Sequence, residues 1–253
     1  MRWSWKVGTF AGIDVFIHAT FLLIIAWVGF SYWQQTGTLA GTLEGILFIL
    51  LLFTSVVLHE YGHALTARRY GIKTRDITLY PIGGVARLER IPEKPIQELK
   101  VALAGPAVNL VIAALLFGWL FISRLAAPLA SIAATSGPFI ERLMIINLSL
   151  AVFNLIPAFP MDGGRVLRAA LALRLEYTRA TQTAAAIGQG IAFVLGFIGL
   201  FSNPFLVFIA LFVWIGAAQE ASMVQMKTAL GGIPVKRVTV TDFQSLTPQD
   251  RLS

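Results

Sequence analysis

Long apolar runs constrain this chain more than any other feature. Six stretches consist mainly of hydrophobic residues, and they cover 15–33, 43–67, 96–123, 140–155, 183–201 and 204–223. A membrane-crossing helix needs about 20 predominantly apolar residues. The chain is 57% hydrophobic and only 13% charged, with a mean hydropathy of +0.74, which is too apolar for a soluble domain. We therefore predict an all-α polytopic membrane protein with six transmembrane helices embedded in a lipid bilayer.

The positive charge of the chain predicts its orientation in the membrane. The formal net charge is +7, but the basic residues are spread between the apolar runs, so no soluble basic domain exists that could bind nucleic acid. Of the 20 Lys and Arg residues, all but Arg124 and Arg142 fall in loops on one side of the predicted topology. Cytoplasmic loops carry such an excess. We expect a multi-pass protein of the plasma membrane with both termini in the cytoplasm.

The segment between the second and third spans is more polar and predicts β-structure. Two β-like runs, 72–80 and 85–89, flank the sequence Pro-Ile-Gly-Gly at 81–84. Two glycines between such runs favour a hairpin, so we predict a small β-hairpin or sheet element here. Two interpretations stay open. The hairpin either lies on the membrane surface without a special role, or it holds an unwound substrate segment by strand addition.

A metal-binding pattern lies near the end of the second span. Residues 57–64 read Val-Leu-His-Glu-Tyr-Gly-His-Ala, so His59 and His63 are four positions apart with Glu60 between them. On an α-helix, such residues share one face and can bind one metal ion while the carboxylate lies beside it. This is the H-E-x-x-H arrangement of zinc hydrolases. The alternative is a helix whose polar residues only pack, but ionisable groups inside a membrane helix are costly and usually functional.

The remaining ligand must come from elsewhere in the chain. There is no cysteine, and His18 is the only histidine besides the pair, so the third ligand is expected to be a carboxylate or His18. We favour Asp162, which follows span four in the Pro- and Gly-rich segment 154–164, on the side of the membrane where the histidine pair lies. A basic, amphipathic helix is predicted to follow at 165–179. The alternative role of Asp162 is to cap this helix, which would begin near Gly163. For His18 we place a packed, hydrogen-bonded histidine first, a substrate or gate contact second, and ligation third.

Three motifs in this order carry a family resemblance. They are His59-Glu60-x-x-His63, Gly105-Pro106-x-x-Asn109, and Asn154-x-x-Pro157 followed by Asp162-Gly163. Together they resemble the site-2 proteases, the zinc metalloproteases of intramembrane proteolysis.

The resemblance implies a set of roles. One zinc ion per chain would bind His59, His63 and Asp162, Glu60 would be the general base, and Asn154 would assist near the reacting carbonyl or the substrate backbone. It also implies a catalytic core of spans two to four, at about 43–175, within a transmembrane protease domain that covers 1–223.

The C-terminal tail at 224–253 adds a subclass. Its sequence from Ile233 to Leu252 is similar to the first strand and turn of a cystathionine-β-synthase (CBS) domain, a regulatory module that some prokaryotic site-2 proteases carry. The pattern stops almost as it starts, so we expect a truncated CBS domain.

These features favour one function over two others. The leading hypothesis is a zinc metalloendopeptidase that hydrolyses a peptide bond within or near a transmembrane segment of a membrane-protein substrate, as in regulated intramembrane proteolysis. The alternative is a divalent-metal transporter or metal-sensing membrane protein, for which Glu60 would be superfluous. A third hypothesis is a pseudoprotease that only binds transmembrane helices. The intact set of metal ligands argues against it, because a protein without catalysis would not need them. The oligomeric state stays open, a homodimer included.

Overall fold

A computed structural model describes residues 3–81, 83–90, 92, 94–123 and 137–230. The described part is mainly helical with one small sheet. The strands are β1 Ser4–Phe10, β2 Ile13–His18, β3 Thr74–Tyr80 and β4 Gly83–Leu88. The helices are α1 Phe21–Thr36, α2 Leu39–Arg68, α3 Pro95–Ile122, α4 Phe139–Asn154, α5 Asp162–Leu171, α6 Tyr177–Ser202 and α7 Pro204–Leu230.

The sheet contains the predicted hairpin and two strands that were not predicted. Its order is β1-β2-β3-β4, with β2 and β3 parallel and the two outer pairs antiparallel. The hairpin is β3–β4, and β4 is the edge strand on that side. The first apolar run was predicted to be helical from residue 15, which is wrong, because residues up to His18 extend β2 and α1 begins at Phe21.

Local sequence explains the two N-terminal strands. Ala11 and Gly12 have φ angles of 50° and 78°, which fits the tight turn of a two-residue hairpin. Apolar residues alternate at Ile13, Val15 and Ile17, and the first two are buried. Such alternation is typical of a half-buried strand. It was overlooked because it leads without a break into the apolar residues of α1.

Four helices are long and apolar enough to cross a membrane, namely α2, α3, α6 and α7. The two other predicted spans correspond to α1 and α4, which have 16 residues each and are therefore only about 24 Å long. The described residues therefore provide four candidate spans rather than six. The basic helix predicted at 165–179 is also wrong, because α5 ends at Leu171 and α6 begins at Tyr177.

Two close approaches bring α3 and α5 against their neighbours. A Cβ atom at Gly62 of α2 would lie 2.6 Å from the carbonyl oxygen of Ala104 in α3, so only glycine permits this packing distance. At the start of α5, a Cβ atom at Gly163 would lie 2.1 Å from the carbonyl oxygen of Ile156. The irregular segment after α4 therefore folds back tightly over the first turn of α5.

The tail lies largely outside the described residues. The last helix, α7, continues to Leu230, beyond Met223, where the sixth predicted span ends. The predicted start of a CBS domain, at 233–252, falls outside the described part of the chain.

Candidate metal centre

Three buried side chains from two distant segments meet at one point. His59 and His63 lie one turn apart on α2, and Asp162 is the first residue of α5. Their exposed fractions are 7%, 4% and 8%. The Nε2 atoms of the two imidazoles are 3.1 Å apart, and each lies 3.1 Å from Oδ2 of Asp162. The three atoms form a nearly equilateral triangle.

Hydrogen bonds on the far side of each imidazole fix its tautomer. His63 Nδ1 lies 2.7 Å from the carbonyl oxygen of Val101, so this nitrogen carries the hydrogen and donates it. His59 Nδ1 lies 2.5 Å from Oδ1 of Asn109. In both rings the Nε2 lone pair is therefore free for a metal, because the other ring nitrogen donates its hydrogen to an oxygen, as is usual for metal-binding histidines.

A relay of amides fixes the orientation of Asn109. Its Nδ2 donates to Oδ1 of Asn147 over 2.9 Å, and Asn147 Nδ2 donates to the carbonyl oxygen of Leu143 over 2.9 Å. Because a carbonyl can only accept, the Asn147 oxygen must face Asn109 on α3, and the Asn109 oxygen must face His59 on α2. Asn109 and Asn147 are fully buried, so the relay links α2, α3 and α4 behind the metal-binding face.

The donor set fits a zinc ion. With zinc–ligand distances of about 2.0–2.1 Å, neighbouring ligands of a tetrahedral site lie about 3.3 Å apart, close to the 3.1 Å observed. Three electron-rich atoms converge here, and a metal cation bound between them would offset their repulsion. Two imidazoles and one carboxylate leave a fourth position open, which is the usual composition of a catalytic zinc site.

Asp162 does not act as the helix cap. The N-cap position of α5 belongs to Met161, which makes no side-chain cap hydrogen bond, and Asp162 follows it in the first turn. The carboxylate instead faces the two imidazoles. Its place at the helix N-terminus also suits its negative charge, because the helix dipole is positive there.

Glu60 and Asn154 lie where two cavities meet. One cavity has a volume of about 360 Å³ and is lined mainly by apolar side chains of α1, α2 and α4. The other, of about 570 Å³, is more polar and is bounded by β4 and α5. His59, Glu60, Gly84 and Asn154 line both cavities. A Cβ atom at Gly84 would lie 3.0 Å from Cγ of Glu60, which places the edge strand directly beside this carboxylate.

The polar cavity is rich in arginine. Arg75, Arg87 and Arg165 line it, together with Glu60 and Asp162. Arg87 donates to both carboxylate oxygens of Asp76, over 2.8 and 2.5 Å. These hydrogen bonds raise the pKa of Arg87 above its usual value, so this guanidinium stays charged.

The structure separates His18 from the metal-binding cluster. His18 Nδ1 lies 2.8 Å from Oγ1 of Thr20 and accepts from the Thr20 backbone N–H over 3.3 Å, and its ring packs against Tyr80 with centroids 5.0 Å apart. This environment matches the first of the three expectations for His18.

The sequence analysis did not identify two residues that shape the metal centre. Asn147 is an isolated amide inside an apolar run, and such an amide needs a hydrogen-bond partner within the helix bundle, which is a signal that could have found it. Gly105 was noted only for its proline neighbour, yet its Cβ would lie 2.2 Å from His63 Nε2 and 2.6 Å from His59 Nε2. A glycine beside a metal site leaves no signal in a single sequence.

Comparisons with known proteins agree with this geometry. The model of the family described as Peptidase family M50 matches residues 47–137 and 124–197. A zinc metalloprotease of Methanocaldococcus jannaschii is 38% identical over 250 residues, which are 98% of this chain and 69% of the relative. A putative zinc metalloprotease of Synechocystis sp. is 38% identical over 205 residues, 77% of this chain and 52% of its own length. The solved structure of a site-2 protease from M. jannaschii aligns with a TM-score of 0.59 and 34% identity, covering 97% of this chain and all of that one.

Proposed function

The chain belongs to peptidase family M50, the site-2 proteases, and on this premise we propose that it is an intramembrane zinc metalloendopeptidase. Its reaction is the hydrolysis of a peptide bond within or near a transmembrane segment of a membrane-protein substrate, as in regulated intramembrane proteolysis. The proposed zinc ligands are His59, His63 and Asp162, with one ion per chain.

The roles of the side chains follow from their chemistry. A bound zinc ion would supply Lewis-acid chemistry, polarising the scissile carbonyl and lowering the pKa of a water molecule beside it. Glu60 accepts the proton of that water and passes it to the leaving amine nitrogen. Asn154 uses one amide hydrogen for the carbonyl oxygen of Leu150, over 2.9 Å, which leaves its second for the substrate carbonyl or backbone.

The junction of the two cavities carries this proposal. A substrate whose chain passes from lipid into water has an apolar part and a polar part. The apolar cavity fits the first part, the polar cavity fits the second, and Glu60 and Asn154 lie between them. The bond to be cut then lies at the end of the apolar segment. A helix hides its amide groups, so the substrate must unwind there.

The free edge of β4 offers a template for the unwound segment. Backbone groups of an edge strand can pair with an incoming peptide, and Gly84 of this strand lies against Glu60. Gly84→Val should therefore retain zinc and lose cleavage, because the new side chain fills the space beside the base. Zinc content and cleavage of one substrate would be measured together, and cleavage at the parental rate would count against strand addition.

The finer topology is part of the proposal. We propose six spans, with α1 and α4 crossing in a locally thinned bilayer, both termini in the cytoplasm, and location in the plasma membrane. The tail at 224–253 is proposed to begin a CBS domain. The partners are the transmembrane substrate and the bilayer, with a homodimer as the proposed assembly.

Purified parent and Glu60→Gln proteins test the function. Each is assayed for bound zinc and incubated with a set of single-span membrane substrates. We expect about one zinc in both proteins and cleavage by the parent alone. Cleavage by both would remove Glu60 as the base. Zinc transport across vesicle membranes without any cleavage would instead support the transporter alternative.

A further inference from the structure

The polar cavity holds more positive charge than its own carboxylates can neutralise. Three arginines line it, from β3, β4 and α5, beside the two acidic residues of the site. Asp162 already faces the two imidazoles, and Glu60 must remain free to accept a proton. Neither carboxylate is therefore available as a lasting partner for the arginines.

Two of the three arginines lack an ion-pair partner within the part of the chain that the structure describes. Arg87 forms its pair with Asp76. No described carboxylate forms such a pair with Arg75 or Arg165. Arg75 lies on β3, and Arg165 lies one helical turn after Asp162 on α5. The charge of Arg165 acts on the carboxylates of Asp162, Glu60 and Glu98, but no described carboxylate holds Arg75 or Arg165 in an ion pair. Two guanidinium groups therefore reach the same cavity from different elements without such a pair.

We propose that Arg75 and Arg165 select substrates that carry acidic side chains in the segment entering the polar cavity. This inference rests on the proposed function and names the substrate class. A guanidinium binds a carboxylate through paired hydrogen bonds. A peptide on the edge of β4 lies in the same cavity as Arg75 and Arg165, so its carboxylates meet both groups.

Charge repulsion makes the selection sharper. The cytoplasmic flanks of transmembrane helices are usually rich in Lys and Arg, and such flanks would be repelled by the arginines and the bound metal ion. Specificity often depends on a repulsive element of this kind. The cavity therefore rejects the common basic flank and accepts the less common acidic one.

A charge-reversal experiment tests this assignment. Three single-span substrates differ only in the flank beyond the apolar segment, which carries Glu, Gln or Lys side chains. All are presented in vesicles of zwitterionic lipid and, in a second series, in vesicles that also contain anionic lipid. The parent should cut the Glu substrate roughly tenfold or more faster, in kcat/KM, than the Lys substrate. Arg75→Glu and Arg165→Glu should each reverse this order. Arg174→Glu is the matched control, since Arg174 is exposed and does not line either cavity.

Each outcome has one meaning. Equal rates of the parent on all three substrates would overturn the inference while leaving the protease assignment intact. A uniform loss in the variants that appears only in vesicles containing anionic lipid would assign the arginines to lipid headgroups instead. Bound zinc is measured in every variant, and a normal zinc content with reversed preference supports the proposal. Failure of the parent to cut even the Gln substrate would remove the proposed function and this inference with it.

Discussion

At the scale of single residues, the metal centre depends on small side chains as much as on its ligands. Gly105 of α3 faces both Nε2 atoms at distances that no Cβ atom could keep. The amide relay of Asn109 and Asn147 then holds the ring of His59 from behind. The imidazoles therefore cannot move away from a side chain introduced at position 105, because their other edge is already occupied.

Gly105→Ala should reduce bound zinc to well below one ion per chain, since the new methyl group takes the space of the Nε2 atoms. Loss of a hydrogen-bond partner behind a metal ligand commonly costs about 10–100-fold in metal affinity, and a direct clash with the ligands should cost at least as much. Gly118→Ala is the control, because it lies on the same helix and its new methyl group would meet no atom within 4 Å. Zinc per chain, measured after competition with a chelator, checks the prediction. Equal zinc in both variants would contradict the geometry.

The structure brings together the three side chains that the sequence predicts as metal ligands, in surroundings that the sequence did not predict. His59 and His63 share a helical period, and Asp162 is the acidic group of a broken apolar segment, so residue type and spacing indicated these three. Their role as ligands, and the role of Glu60 as base, stay predictions. The carbonyl of Val101 and the closeness of Gly105 could not be predicted, because both depend on how α3 packs against α2. That packing is set by Gly62, and a single sequence does not show which glycines lie at such contacts.

At the scale of elements, α5 is held by a buried charge cluster. Arg168 is fully buried on this helix. Its Nε donates to Glu98 of α3 over 2.8 Å and its Nη1 to Glu220 of α7 over 2.5 Å. The guanidinium also packs on the rings of Phe159 and Tyr177, 5.1 Å from each centroid. Because Asp162 begins the same helix, this cluster also sets the position of the third ligand.

Arg168→Met should destabilise the protein and weaken zinc binding. Removing one partner of a buried ion pair typically costs about 3–5 kcal/mol, because the remaining charge is uncompensated. Thermal unfolding in detergent would measure the loss, with the exposed Arg174→Met as control. Adding Glu98→Gln to Arg168→Met should recover part of the stability. If Arg168→Met unfolds at the same temperature as the control, the cluster does not hold α5.

The elements that were predicted incorrectly share a physical cause. Residues 13–18 alternate with a period of two, but the apolar helix that follows hides the boundary. The helix predicted at 165–179 ends at Leu171 instead, although its basic pattern continues. In both segments, the hydrophobic or basic pattern runs on past the residue where the element stops, so composition alone does not mark the boundary.

At the scale of the whole molecule, the open question is how many helices cross the bilayer. The chain has no cysteine, so a thiol reagent would label only a cysteine that is introduced. We predict that Val7→Cys and Leu173→Cys are protected from a membrane-impermeant thiol reagent in intact cells. Gln35→Cys and Pro138→Cys should be labelled. Val7 and Leu173 are exposed on the protein surface, so their protection would come from the membrane. Equal labelling at positions 7 and 35, or at 138 and 173, would show that α1 or α4 does not cross.

The position of the bond that is cut distinguishes an intramembrane protease from other metalloproteases. Parent protein and Glu60→Gln are incubated with a single-span substrate in water enriched in heavy oxygen, and the products are identified by mass spectrometry. We predict that the parent yields two fragments whose new ends lie within or next to the apolar span, with one heavy oxygen in the new carboxyl group, and that Glu60→Gln leaves the substrate intact. A cut far from the apolar span, or the same fragments from both proteins, would contradict an intramembrane zinc protease that uses Glu60 as its base.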